Sequence, residues 1–487
     1  MSTVTAPRSS ILKSDSLHFL IALGMCLLLL TVLQPQEGLL TDLGVRAVAI
    51  IIPTIYLWIT INTNWVCLLF FALLVISGVM APMAVWAGTL GHFSVMMILV
   101  YTIICMCLSY NGVIDKVAVW FITRPFVKGR PYAVLTMYFF SMLALGLFTP
   151  NMPITILYIN FTIRICEKIG IQKGHSLYTM LFLGVLWSSC ILSASAPISF
   201  GIILIGILHP LGIYVTMLQW LLAGMVFTAI GIVFIMLAVR IANPDVSPLK
   251  KLDIEELARE TPPLDRGGKI AGITMVVLLL FIMVPELFRI FGVFYAQATW
   301  IVGLSPQVLG ILALSFLCLV KNKGEPILDF LKTARDVPMS LLLFVAAVNI
   351  MSNPISNPYT GILPWMNNAI SPLVAGLSPT TVMMILLILA VIQTSFMSNM
   401  VTIVMYFNLG LALFYGTDMN IAAFGILIAF AANFSFLTPA ATITTPMFFG
   451  PEHITMGNSI KPNLVFMVFS FIMLFILVAI VPSIVPV

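Results

Sequence analysis

FTPNMPITILYIN at residues 148–160 and FMSNMVTIVMYFN at residues 396–408 are two matching segments of one apolar chain, 248 positions apart. Without a gap they share five identities: Phe148/Phe396, Asn151/Asn399, Met152/Met400, Tyr158/Tyr406 and Asn160/Asn408. In each copy an Asn follows Pro150 or Ser398, in apolar sequence where a membrane helix favours residues such as Leu. The chain therefore interrupts itself twice in the same way, which indicates an internal repeat.

A second matched pair tests the repeat. SASAPISFG at 193–201 precedes TITTPMFFG at 442–450 by 249 positions, nearly the same offset. The two segments share Pro197/Pro446, Phe200/Phe449 and Gly201/Gly450, and they keep a hydroxyl at Ser193/Thr442 and Ser195/Thr444. Each lies midway through an unusually long apolar stretch, which is typical of a broken membrane helix.

The composition is that of a membrane protein. Of the 487 residues, 61% are hydrophobic and 8% are charged, whereas soluble domains carry about 25% charged residues. Apolar runs of about 17–25 residues, the length of a membrane span, recur along the whole chain. The longest polar strip, 243–269, is too short to fold alone, since isolated domains need about 40 residues or more. We predict an all-α polytopic membrane protein.

Eleven transmembrane helices are predicted, at 17–33, 45–62, 64–83, 94–110, 176–208, 211–240, 270–288, 297–320, 337–352, 420–449 and 462–485. Two pairs of shorter apolar segments, 131–148/152–166 and 379–397/400–416, each surround one of the opening motifs. We interpret each pair as a re-entrant hairpin. The run 17–33 could instead belong to a signal peptide, but it is long for one and no small-residue cleavage site follows.

Basic residues predict the orientation, because cytoplasmic loops carry an excess of Lys and Arg. With the N-terminus cytoplasmic, all 22 Lys and Arg residues except Arg46 and Arg289 fall inside or at the inner ends of spans. The C-terminus is then outside. This distribution is the same whether the hairpins re-enter or cross fully. It also explains the net charge of +5 without a nucleic-acid partner, and we expect none.

The predicted organisation is two repeats of opposite orientation, an inverted-topology repeat with two opposed re-entrant hairpins. Each hairpin follows one span and a polar arm, and the first enters from the cytoplasm while the second enters from outside. The segments are a cytoplasmic tail (1–16), a first repeat with its leading spans (17–241; hairpin 131–166, broken helix 176–208), a cytoplasmic linker (242–269) and a second repeat (270–487; hairpin 379–416, broken helix 420–449).

Broken helices carry unpaired backbone groups that can bind ions. Free amides at a half-helix N-terminus attract anions, and free carbonyls at a C-terminus attract cations. The span interiors add Asn, Ser and Thr but almost no acidic residues, which a proton-driven antiporter usually needs. Oxygen donors of this kind suit Na⁺, and amide and hydroxyl donors suit a carboxylate. The pattern indicates a transporter of anions.

Enzyme signatures are missing from the sequence. It contains no HExxH, no GxSxG and no Walker A loop. The five His residues are scattered, and the seven Cys residues form no CxxC pair. We therefore expect no enzyme activity and no cofactor beyond Na⁺ as coupling ion. A membrane-embedded sensor or enzyme remains the alternative from another class, although a one-sided site needs no inverted symmetry.

Three stretches resemble the divalent anion:sodium symporter (DASS) family of the ion transporter superfamily. SNMVT at 398–402 looks like the family's SNT hairpin-tip motif, and WITINTNW at 58–65 is similar to its Trp-containing stretch in an early span. LTPAATITTPMFFG at 437–450 resembles the Pro- and Thr-rich break after the second hairpin. The order of elements agrees over nearly the whole chain.

The resemblance implies a scaffold domain that forms a homodimer and an elevator-type transport domain that carries the site. Carried over by position, it places the substrate carboxylate at Asn151, Ser398 and Asn399, and Na⁺ at the tips and broken spans. The chain differs from the motif at Pro150, Met152 and Met400, where the family has Ser, Thr and Thr. In the family those Thr hydroxyls contribute to substrate binding, so the fold is implied more specifically than the cargo.

The predicted site combines the tips with the breaks. Its substrate-binding residues are Asn151, Ser195, Ser398, Asn399 and Thr444, and its Na⁺ ligands are Asn151, Ser193, Asn399 and Thr442. Alternatively, the Asn residues serve helix packing, and the Ser and Thr hydroxyls bond the carbonyl four residues earlier.

The predicted function is secondary active transport of small organic anions, di- or tricarboxylate-like, in the cell membrane and in contact with lipid. Na⁺ symport and anion exchange both remain open, as does a cation/proton antiporter or inorganic oxyanion exporter of the same superfamily.

Overall fold

The computed structural model describes residues 8–61, 65–147, 151–252, 256, 259, 262–438, 444–449 and 453–485. Its helices are α1 (Arg8–Val32), α2 (Asp42–Thr60), α3 (Trp65–Ile76), α4 (Pro82–Gly88), α5 (Phe93–Tyr110), α6 (Val113–Ile122), α7 (Pro131–Gly146), α8 (Asn151–Ile169), α9 (Ser176–Ser195), α10 (Ile202–Leu208), α11 (Met217–Ala242), α12 (Arg266–Phe291), α13 (Tyr295–Gly303), α14 (Ser305–Leu319), α15 (Phe330–Ala334), α16 (Met339–Ser356), α17 (Ile362–Ile370), α18 (Pro379–Thr394), α19 (Asn399–Leu413), α20 (Ile421–Ala432), α21 (Pro446–Phe449) and α22 (Met456–Ile484). Two short strands, β1 (Lys321–Asn322) and β2 (Glu325–Pro326), pair antiparallel.

The protein is an all-α polytopic membrane protein, as predicted. In the described part of the chain, eight helices are long and apolar enough to cross a membrane, or up to ten if each of two bent pairs forms one span. Except at its two ends, a helix pairs its backbone amides and carbonyls within itself, which is why helices suit the bilayer core.

Two predicted spans differ from the observed helices. The span predicted at 64–83 is shorter than expected, since α3 ends at Ile76 and Gly78 takes a left-handed φ of +71°, while α4 begins at Pro82 in the same candidate span as α5. The span predicted at 297–320 is bent by 73° between α13 and α14. Ser305 there has a φ of +64°, and Pro306 lacks the amide that would continue the preceding helix.

The order of elements recurs along the chain. Six segments of the first half have counterparts in the second half, in the same order. The helices α5, α6, α7, α8 and α9 and the wide helical turn Pro197–Gly201 correspond to α16, α17, α18, α19, α20 and α21. Each segment begins 245 to 249 positions before its counterpart. Their packing recurs too, since α9 contacts α7, α8 and α11 while α20 contacts α18, α19 and α22. The orientation of each half in the membrane stays a prediction.

The centre of the molecule is formed by α9, a candidate span whose residues from Leu177 to Ser195 are all buried. It packs against α20 and α22 of the other half. The indole ring of Trp187 stacks on Phe466, with ring centroids 4.6 Å apart, and its Nε1 donates to Asn463 Oδ1 at 2.9 Å. This packing fixes the end of α9, where the chain leaves the helix at Ala196.

Candidate functional site

The first tip Asn is bonded to the end of α9. Asn151 is the first residue of α8, and its Oδ1 accepts hydrogen bonds from Thr155 Oγ1 at 2.6 Å and from Ser189 Oγ at 2.9 Å. Its Nδ2 donates to Ser193 Oγ. The two hydroxyls of Thr155 and Ser189 also lie 2.9 Å apart. Four neutral side chains therefore tie the start of α8 to the last two turns of α9.

The second tip Asn is bonded to the end of α20 by different partners. Asn399, 4% exposed, is the first residue of α19. Its Nδ2 donates to Asn433 Oδ1 at 3.0 Å, and its Oδ1 accepts from Thr394 Oγ1 at 3.1 Å. Asn433 directly follows α20, and Thr394 also donates to the carbonyl of Ala432. The tip is thus attached to the point where α20 ends.

The two tip networks are connected through the helix ends to which they are bonded. The two helices are in contact, since α9 packs against α20. The side chain of Asn463 adds a second link, because it accepts from Trp187 of α9 and donates to the carbonyl of Phe436. Both hairpins therefore attach to the same central contact between α9 and the segment after α20.

The predicted site residues divide into two groups. Asn151 and Ser193 are in direct contact, and Asn399 lies in the matching network of the other half. Ser195 turns towards α11, where its Oγ donates to the carbonyl of Ile191 at 2.9 Å and accepts from Thr228 at 3.1 Å. A hydrogen bond from the hydroxyl to the carbonyl four residues earlier was the alternative to ligand binding in the sequence analysis. Ser195 makes this bond, and Ser193 makes the same bond to the carbonyl of Ser189.

The other predicted residues lie around the second break. Ser398 is half-buried and directly precedes α19. Thr444 is buried, and its backbone carbonyl accepts from the amide of Met447 at 3.1 Å. Thr442, a predicted Na⁺ ligand, and Pro150, at the first tip, lie outside the described residues.

Sequence reasoning missed four residues that bond the tip amides: Thr155, Ser189, Thr394 and Asn433. A signal for two of them was present. Thr155 lies four residues after Asn151 and Ser189 four before Ser193, so each shares a helix face with a predicted residue. Thr394 and Asn433 had no such signal, because they belong to two separate helix ends that only the packing brings together.

Each tip places a helix N-terminus at the site. The amides of the first turn carry partial positive charge, and none of the side chains in the two networks is ionised. The Ser398 side chain makes no capping hydrogen bond to α19. By contrast, Ser378 and Asn420 cap the neighbouring helices α18 and α20. An uncapped first turn leaves amides available for an anion.

The remaining residues of the opening motif pack or face outward. The hydroxyl of Tyr158 is buried against Ser141, and the Asn408 side chain donates to the carbonyl of Val404 at 2.8 Å. Tyr406 is buried, whereas Asn160 is exposed. Both Tyr side chains of the motif therefore belong to the packed interior.

No group of three or more His, Cys, Asp or Glu side chains that could hold a metal ion occurs among the described residues. A cation at this site would instead be bound by amide, hydroxyl and carbonyl oxygens. Each tip network includes residues at the C-terminal end of α9 or α20, and helix C-termini carry partial negative charge. Oxygen ligands of this kind suit a hard cation such as Na⁺ as a transported ion.

The model of one protein family, described as the sodium:sulfate symporter transmembrane region, matches residues 15–484. The chain belongs to the sodium:sulfate symporter family. A search of the curated proteins finds no match. The resemblance to the divalent anion:sodium symporters is confirmed, since the match spans nearly the whole chain. This member of the sodium:sulfate symporter family is a secondary active anion transporter in a membrane, and the family indicates Na⁺ as its coupling ion.

Proposed function

We propose that this protein carries a small organic anion, di- or tricarboxylate-like, across the cell membrane together with Na⁺. The observation that carries the proposal is the pair of helix N-termini at Asn151 and Asn399, each bonded into the end of an interrupted helix. Two such termini supply amide donors for two anionic groups without a buried cation. The neighbouring carbonyls and hydroxyls supply oxygen ligands for Na⁺.

An elevator movement accounts for transport by such a site. The tips are attached to α9 and α20 by side-chain hydrogen bonds, so the two hairpins and the two interrupted helices form one unit. A site held within one unit keeps its geometry while that unit moves against the scaffold helices. Anion and Na⁺ would then bind and leave together, because each lowers the electrostatic cost of the other.

Sulfate is the second candidate cargo. The description of the matched family names it, and the side chains of Met152 and Met400 offer no hydroxyl to the second carboxylate of a longer anion. Sulfate has a single anionic centre and therefore needs no donor at the position of a second carboxylate. Anion exchange without Na⁺ is the second candidate for coupling.

Uptake into proteoliposomes tests both the cargo (organic anion or sulfate) and the coupling (Na⁺ symport or anion exchange). Radiolabelled succinate, citrate and sulfate are supplied with external Na⁺, K⁺ or choline, with and without anion preloaded inside. We expect uptake of a carboxylate that requires external Na⁺ and no internal anion. Uptake of sulfate alone would contradict the organic cargo, and uptake that requires internal anion would contradict symport.

Variants locate the site in the same assay. Asn151→Ala and Asn399→Ala should each lower initial uptake at least about tenfold, equivalent to roughly 1.4 kcal/mol, because each removes the amide that positions a tip. Asn160→Ala is the matched control, since this exposed Asn belongs to the same motif. Wild-type uptake by both tip variants would exclude the tips from the site.

A further inference from the structure

A cavity of about 950 Å³ lies away from the hairpin tips, between α5, α10, the start of α11, α12 and the bend from α13 to α14. Its volume is at the upper end of the roughly 300–1,000 Å³ that is typical of small-molecule sites. Most of its lining is apolar, as at Met96, Ile205, Phe281, Ile301 and Leu309. None of the residues that bond the tip amides lines it.

The polar residues of the lining are His209, Tyr214, Thr216, Ser305, Glu286 and Gln307, and the last two present largely buried hydrogen-bond acceptors. Glu286 is 7% exposed, and its Oε1 lies 3.0 Å from Arg289 Nη2. Gln307 has a buried Oε1 that finds no hydrogen-bond partner within the described part of the chain. A buried acceptor without a donor destabilises the protein, because the acceptor has lost its hydrogen bond to water. The cavity is therefore suited to a molecule that brings a hydrogen-bond donor to these acceptors and apolar surface to the rest.

The positions of the polar and apolar groups match those of a lipid at the edge of a bilayer. Glu286 and Arg289 lie in the last turns of α12, close to the end of that candidate span at Phe291. The side chains of Phe281, five residues before Glu286 on α12, and Met96, in the first turn of α5, are 51% and 43% exposed, so acyl chains can reach the cavity from the side.

We propose that this cavity binds a phospholipid with a primary-amine headgroup. The ammonium group donates to Gln307 Oε1 and to the Glu286 carboxylate, the phosphate faces Arg289, and one acyl chain fills the apolar part. A transported anion does not fit, because its charge would lie against a carboxylate in apolar surroundings. The proposal does not depend on which anion is carried.

Native mass spectrometry of the purified full chain tests the headgroup preference. The probes are phosphatidylethanolamine, phosphatidylcholine and phosphatidylglycerol with identical acyl chains, added in equal amounts. We expect the protein to retain phosphatidylethanolamine at least about fivefold over phosphatidylcholine, because a quaternary ammonium has no N–H to donate. Equal retention of these two lipids, or preference for the anionic lipid, would overturn the proposal.

Variants separate this cavity from lipid bound elsewhere. Gln307→Leu and Glu286→Gln should each reduce the preference to less than about twofold, and Met96→Trp, which fills the apolar part, should reduce retention of all three lipids. Glu325→Gln is the control, because Glu325 is exposed at the start of β2. If Glu286→Gln fails to fold, the lipid preference of Gln307→Leu and the lipid retention of Met96→Trp still test the proposal. An unchanged preference in those two variants means that lipid binds elsewhere or that a second copy covers the cavity, and it overturns the proposal.

Discussion

The two copies of the opening motif use the same residue in the same way but with different partners. Asn151 is bonded mainly by hydroxyls, from Thr155, Ser189 and Ser193, whereas Asn399 is bonded by the amide of Asn433 and one hydroxyl. Each neutral hydrogen bond contributes about 0.5–1.5 kcal/mol net. Both halves thus hold the tip Asn against the end of an interrupted helix, but with different hydrogen-bond partners. This indicates that the position of the tip amide matters more than the identity of its partners.

Removal of the Asn433 side chain should be more damaging than removal of the Ser189 hydroxyl. In Asn433→Ala the buried Nδ2 of Asn399 loses the acceptor at 3.0 Å, at a cost of about 1–3 kcal/mol. In Ser189→Ala, Asn151 Oδ1 keeps the hydrogen bond from Thr155. We expect a lower melting temperature in detergent and slower uptake for Asn433→Ala than for Ser189→Ala. Equal behaviour of the two variants would count against this role of Asn433.

The Met residues that follow the tip Asn residues should limit binding of dicarboxylates. Met152→Thr and Met400→Thr each restore a hydroxyl donor of the family motif, and one hydrogen bond changes affinity about two- to tenfold. We expect a lower apparent KM for succinate in both variants, measured as initial uptake over a concentration series. Met405→Thr, farther along α19, is the control. An unchanged KM would mean that these positions do not contact the cargo.

At the scale of elements, the arms before the two hairpins begin alike but are held differently. Gly112 and Gly361 precede α6 and α17, 249 positions apart, and both have a φ of +69°. The second arm is attached to α2, since Thr41 donates its hydroxyl to the Tyr359 carbonyl at 2.8 Å. A Cβ added at Gly361 would lie 1.6 Å from the Leu39 carbonyl oxygen. A Cβ added at Gly112 would have no neighbouring atom of the described residues within 4 Å.

This difference predicts unequal effects of the same substitution. Gly112→Ala meets only the left-handed backbone penalty of roughly 1–2 kcal/mol, and it should fold with a slightly lower melting temperature. Gly361→Ala adds a clash with backbone that cannot move without displacing α2, so we expect little folded protein. Size-exclusion profiles and melting curves in detergent measure both. Comparable yields of the two variants would contradict the close approach seen at Gly361.

At the scale of the whole molecule, the charge distribution predicts which loops face the cytoplasm. The orientation places Tyr359, 80% exposed, outside and the exposed Ser247 inside. Of the seven native cysteines, five are buried and only Cys26 and Cys318 are partly accessible. A background with those two replaced by Ser is therefore suited to labelling.

In that background, a membrane-impermeant maleimide should label Tyr359→Cys in intact cells and Ser247→Cys only after permeabilisation. The physical reason is that translocated loops carry few basic residues, whereas the segment around Ser247 is followed by Lys250 and Lys251. Labelling of Ser247→Cys in intact cells, with Tyr359→Cys protected, would reverse the orientation.

The sequence by itself determined the membrane class, the repeated order of elements and the two matched places where helices are interrupted. These properties depend on composition, on the length of apolar runs and on local backbone chemistry such as that of Pro197 and Pro446. Each of them depends on residues that are close together in the sequence. The sequence also carried the family resemblance that the match over 15–484 confirms.

Only the tertiary structure decided which side chains meet at the tips. Asn151 and Ser193 are 42 positions apart and Asn399 and Asn433 are 34 apart, so their contacts depend on how each hairpin is rotated and seated against its interrupted helix. The same rotation turns Ser195 towards Thr228 and away from the predicted ligand set. Helix rotation follows from side-chain packing around α9 as a whole, and no local pattern encodes it.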